Sequence, residues 1–149
     1  MLWRLDGTYH TKFNEQLTLD QPLTVEHILP QKWIEHWPLA TGEQGLTNEE
    51  LWDVDAADSR VAATRQRNAA VQTMGNLTII TQELNSSVSN SPWATKKPAL
   101  LNASLLPINQ QLVGCDVWDE IAIEKRREEL LKRAITVWPA PLAPSALPG

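Results

Sequence analysis

Glu26 and His27 stand side by side in TVEHILPQKW, flanked by apolar residues, with Pro30 three places after the histidine. Asn76 opens the run NLTIIT directly after Gly75, and Asn85 follows nine residues later in QELNSSVSN. Together these side chains could hydrolyse a phosphodiester. Such a reaction needs a base to activate water, a cation to neutralise charge on the reacting oxygens, and groups that hold both. Histidine has an unperturbed pKa suited to the base role near neutrality. Carboxylate and amide oxygens are hard ligands, suited to Mg²⁺ with several waters retained. The imidazole must also be kept in one tautomer and orientation, which an amide or a main-chain carbonyl can do. Taken alone, a Glu-His pair is more often a half-exposed strand end, because short motifs match by chance. An extended segment would also put Glu26 and His27 on opposite faces unless the backbone turns there.

The elements that must position these groups can be read along the chain. LTLDQPLTVEHILP has alternating apolar positions at Leu17, Leu19, Leu23 and Val25, which predicts a strand with Pro22 at its start or edge. Trp33, Ile34 and Trp37 have helical spacing up to Pro38. Thr47 to Glu50 can start a further helix, with Thr47 or Asn48 as N-cap. Residues 58–73 predict a helix capped by Asp58 or Ser59 and ended by Gly75. Asn76 to Thr81 is short and β-rich enough to be a buried strand, and a short helix or turn follows from Gln82. Asp116 is expected to cap a long helix reaching Trp138. Its buried stripe would be Ile121, Leu130, Leu131, Ile135 and Trp138, and Arg126, Arg127, Lys132 and Arg133 would form a solvated face. The outline is strand, helical insertion, strand, short helix, supporting helix: an α+β fold.

Bulk properties narrow the function. With 149 residues, 42% of them hydrophobic and 21% charged, the chain fits one globular domain and not a disordered segment. A net charge of -5 counts against adhesion to nucleic acid by charge alone, so any such role must rest on local basic clusters, a metal ion or a further domain. Most of the seven tryptophans are expected in the core, although tryptophan can also stack on bases. The single Cys115 excludes an internal disulfide and a multi-cysteine zinc site, and it reads as a small buried hydrophobe. A reducing cytoplasm is the natural compartment. No apolar run approaches membrane-spanning length. His10 and His36 lack motif context and read as surface or packing residues. The abrupt opening MLWRLDGTYH reads as the exit of an apolar element. The chain is therefore expected to be the C-terminal fragment of a longer protein, with a domain over residues 1–139 and a proline-rich tail over 140–149.

The ordered set VEHILPQ, GNLTII and the LN of QELNSSVSN resembles the HNH, or His-Me finger, nucleases. More closely, EHILPQ, MGNLTIITQELN and the following SN, PW and KK resemble the C-terminal nuclease domain of GmrSD-type enzymes, over about residues 23–139. Those are modification-dependent restriction proteins of bacterial anti-phage defence, in which a ParB-like nucleotide-binding domain precedes the nuclease. The resemblance implies a ββα-metal core with a helical insertion and a C-terminal supporting helix. It implies that His27 is the general base, that Glu26 and Asn85 hold one divalent ion, Mg²⁺ or Mn²⁺, and that Asn76 steadies the histidine-bearing loop. Asn90, Lys96 and Lys97 would contact phosphate or stabilise transition-state charge; the alternative is a capped turn followed by a solvated basic pair. The long gap from His27 to Asn76 implies a helical layer packed over the site. The implied activity is a metal-dependent DNA endonuclease or nickase that cuts one strand per engagement. A noncatalytic DNA-binding or interaction module on the same fold is the alternative. Loss of Glu26, His27 or Asn85 would favour it, and all three are present. A secreted nuclease toxin would share the motif, but the GmrSD likeness disfavours it.

Overall fold

Two short strands, β1 (Leu23–His27) and β2 (Leu77–Thr81), pair antiparallel although a long segment separates them in sequence. A computed structural model describes residues 1–14 and 19–139, so Leu17 and the proline-rich tail lie outside the described residues. Strand β1 starts at Leu23, directly after Pro22, as its missing N–H requires. The register sets Leu23 opposite Thr81 and His27 opposite Leu77, so the histidine lies at the end where the insertion leaves and returns.

Strand β2 is buried on both sides because pleating sends neighbouring side chains to opposite faces. Ile79 joins one cluster with Leu2, Leu5, Leu106, Ile108 and Leu130. Ile80 joins another with Ile28, Leu29, Trp33, Trp37 and Trp118. Each isoleucine contributes about 1.5–3 kcal/mol by its burial. Helix α1 (Leu2–Gly7) covers the first cluster with Leu2 and Leu5. The chain is thus α+β, with one small sheet wrapped by helices.

The insertion between the strands carries two helices. Helix α2 (Glu50–Asp53) is a single turn preceded by a reciprocal cap: Glu50 N–H donates to Thr47 Oγ1, and Thr47 N–H donates to Glu50 Oε2. Helix α3 (Ser59–Val71) has the expected Asp58 cap, which accepts from the Arg60 N–H. The expected helix over Trp33, Ile34 and Trp37 does not form. His36 and Trp37 donate back to Trp33 O in turns bracketed by Pro30 and Pro38, and both tryptophans enter the core. Gly75 does not end α3, which stops at Val71; it lies in a 3₁₀ turn, Met74–Asn76. The reason for glycine there is close approach, since a Cβ would meet Ile123 O at 2.1 Å and Arg127 at 2.9 Å.

After β2 come α4 (Gln82–Val88), α5 (Trp93–Ala103) and the short α6 (Pro107–Gln110), followed by a 3₁₀ turn, Gln111–Gly114. The supporting helix α7 spans Glu120–Val137. Its cap is Asp119, which accepts from Ala122 N–H, and not Asp116, which pairs with Lys97 instead. The buried stripe also differs from the expected one. Ile123, Arg126 and Leu130 face inward, while Ile121, Leu131, Ile135 and Trp138 are exposed. Burial of Arg126 overturns its expected solvated place: its guanidinium donates to Gly75 O and Leu77 O, tying α7 to the entry of β2. The helix turns this face inward because the carbonyls at the 3₁₀ turn need a donor. Cys115 is half-buried against the larger core cluster. His10 hydrogen-bonds Asp6, and His36 sits exposed beside Glu35.

Candidate active site

At the end of β1 the chain bends through Ile28 and Leu29, and Asn76 holds that bend. The Asn76 side chain is fully buried. Its Oδ1 accepts from Leu29 N–H at 2.8 Å and from the Trp118 indole at 3.1 Å, and its Nδ2 donates to Leu29 O and Val71 O. Its carbonyl also accepts from Ile28 N–H at 2.9 Å. One asparagine thereby fastens the two residues after His27 to the start of β2 and the end of α3. Asn76 does not line the cleft; it positions the histidine through the backbone.

Glu26 and His27 both remain in extended β1, and the cleft opens at the strand's end where it reaches both. Both residues line one cleft of about 260 Å³, together with Pro30, Gln31, Lys32, Asn85, Ser89 and Asn90. Asn85 comes from α4 and reaches back to Thr24 Oγ1 through Nδ2 at 3.4 Å, a long contact. Among the described residues its amide oxygen accepts no hydrogen bond. Asn90 is exposed on the turn after α4. The insertion does not roof the site: only Pro30, Gln31 and Lys32 of it reach the cleft, while α3 packs against α7.

Lys96 lies beneath this cleft and is fully buried. Its ammonium donates to Glu26 Oε1 at 2.6 Å, Ser89 O at 2.7 Å and His27 O at 2.9 Å. Those three bonds use all three of its protons. Lys96 therefore has no free N–H for a substrate phosphate, and its location differs from both a phosphate contact and a solvated lysine. Burial pushes its pKa below the ordinary lysine value, while the bond to Glu26 and that carboxylate's charge oppose the shift. Ser89 has φ +28°, a strained value for a residue with a side chain. Its carbonyl is held by Lys96 and its N–H by Asn85 O, which fixes the turn carrying Asn90. Lys97 points elsewhere, to Asp116, and does not line the cleft.

Burial also lowers the pKa of His27, and the Lys96 charge acts in the same direction; the Glu26 charge and the Gln72 side chain oppose them. The net effect favours the neutral imidazole, the form that can accept a proton. Among the described residues no three His, Cys, Asp or Glu side chains gather as a metal cage. The side-chain oxygens lining the cleft come from one carboxylate, three carboxamides and the Ser89 hydroxyl.

Three participants had no signal in the sequence. They are Gln72 at the end of α3, Trp118 shortly before α7 and Ser89 at the end of α4. Only Ser89 sits inside a motif, directly before Asn90.

A family model described as GmrSD restriction endonucleases, C-terminal domain, matches residues 1–133. No curated protein and no solved structure matches the chain.

Proposed function

Because the chain belongs to the family of GmrSD restriction endonuclease C-terminal domains, we propose that it is a metal-dependent DNA endonuclease that cuts one strand per engagement. The observation that carries this reading is the convergence of Glu26, His27, Asn85 and Asn90 on one cleft. The order β1, β2, α4, with β1 and α4 lining that cleft and β2 paired to β1, supports a ββα-metal arrangement.

The donors fit a hard cation. Glu26 keeps one carboxylate oxygen beyond the one bound to Lys96, and Asn85 keeps its amide oxygen. Glu26, Asn85 and waters would hold Mg²⁺ or Mn²⁺, which neutralises charge on the reacting phosphoryl oxygens. His27 takes the proton of the attacking water in its neutral form. Asn76 keeps the histidine-bearing backbone in place, and Lys96 keeps the Glu26 carboxylate in place. Asn90 meets a non-bridging phosphate oxygen. In a longer protein, a ParB-like nucleotide-binding domain would choose the target within a cytoplasmic, modification-dependent anti-phage system.

Nicking of supercoiled plasmid with Mg²⁺ or Mn²⁺, with and without EDTA, tests the reading. Wild type should nick and EDTA should stop it. His27→Ala should slow nicking by about 10²–10⁴-fold, with an unchanged circular dichroism spectrum. Full activity in that variant rules out His27 as the base.

A further inference from the structure

A second, larger cavity adjoins the cleft. It encloses about 660 Å³ and shares Gln31 and Lys32 with the cleft as common wall. Gln72, whose side chain acts on the His27 pKa, also lines it. Its size falls in the range of about 300–1,000 Å³ usual for small-molecule pockets.

Its lining has a definite chemistry. Buried Trp33, Leu46 and Val71 contribute apolar surface. Around them stand carboxamides with spare hydrogen-bonding capacity. Among the described residues the side chains of Gln31 and Asn48 make no hydrogen bond, and Gln44 makes only a 3.4 Å contact to Ile34 O. Asn68 uses its oxygen for the Trp33 indole and keeps its NH₂. The only charged residues on the wall, Lys32 and Glu35, are of opposite sign. Such a wall gives a phosphate or carboxylate little to hold. It suits a neutral, flat group with donors and acceptors on its edge.

Resting on the DNA-cutting reading, we propose that this cavity takes one nucleobase of the strand held in the cleft, read at its edge by Gln44 and Asn48. Carboxamides pair with base edges through one donor and one acceptor. A base inside a duplex cannot enter a concave pocket, so the occupant is unpaired or swung out of the stack. The shared wall at Gln31 and Lys32 places that base next to the phosphate being cut.

Binding in EDTA tests the pocket without depending on cleavage. Short oligonucleotides, single-stranded and duplex, have their bases removed one position at a time and are titrated into wild type and Q44A/N48A. Thermal melting checks that the variant, altered only at exposed positions, keeps its fold. The expected result for wild type is a single position where base removal weakens binding about tenfold, the scale of one amide–base contact. The double variant should lose that penalty. A penalty in single strands alone identifies an unpaired base as the occupant, and one in duplexes too identifies a base swung out. An unchanged penalty in the variant, no position-specific penalty in wild type, or no binding at all overturns the proposal. If discrimination persists but wild type never nicks plasmid, the pocket stands and the nuclease reading falls.

Discussion

Two buried cations in this molecule make almost the same set of bonds. Lys96 donates to one carboxylate, Glu26, and to the carbonyls of His27 and Ser89. Arg67 donates to one carboxylate, Glu120, and to the carbonyls of Trp37 and Pro38. Each ties together segments far apart in sequence. They differ in what the bonded groups do next. Glu120 begins α7 and does not line the candidate site, so Arg67 holds the insertion to the supporting helix. Glu26 opens onto the candidate site, so Lys96 sets the geometry of a carboxylate that lines it. Bond for bond, a structural clamp and a site support look alike; only the cleft above one of them separates the two.

The contrast can be broken, beginning where the effect is largest. Lys96→Met would leave Glu26 without its cation and two carbonyls without their donor. Removing one partner of a buried pair costs about 3–5 kcal/mol, read as a lower urea midpoint, and nicking per folded molecule should fall with it. Lys96→Arg should not restore nicking, because a planar fork does not match three acceptors gathered around one ammonium. Wild-type stability and nicking in Lys96→Met would remove Lys96 from the site.

Arg67→Met should cost less, about 1–3 kcal/mol. Glu120 lies in the first turn of α7, where the helix dipole favours its charge. Nicking per folded molecule should stay at the wild-type rate. A fall in that rate would show that the insertion clamp also shapes the site.

The smallest effect sharpens the comparison. The His27 pKa is lowered, chiefly by burial, so the neutral base survives to lower pH than an ordinary histidine. The acid limb of the pH–rate profile should therefore centre below about 6.5. The Lys96 charge is one of the causes lowering that pKa. Lys96→Met should move the limb upward, and Arg67→Met should leave it in place. A limb at the same pH in all three proteins would uncouple Lys96 from His27.

Much of the local structure was legible in the sequence. Asp58 before an alanine-rich run, Thr47 three residues before Glu50, and Pro22 before β1 are signals read within a few residues, and each appears where expected. The orientation of α7 was not legible. Isoleucine and leucine at Ile121, Leu131 and Ile135 suggested one inward face, yet a neighbouring face is buried. The carbonyls around Gly75 required the Arg126 guanidinium, and the missing Cβ let α7 approach. The Trp33–Trp37 segment failed as a helix for a related reason. Eight residues from Pro30 to Trp37 precede Pro38, and both rings are drawn into a core built by other segments.

By itself the sequence determined which residue types stand where: an adjacent acid and histidine at a strand end, an asparagine opening the second strand, and another on the helix after it. Caps, breakers and apolar runs act over a few bonds, so they carry this much. Tertiary structure alone decided that Asn76 bonds the backbone after His27, that Lys96 is buried beneath the cleft while Lys97 pairs with Asp116 away from it, and that the insertion stands beside the cleft. Whether a charged side chain ends in water or beneath a site depends on which distant segments close over it, and packing of the whole chain sets that.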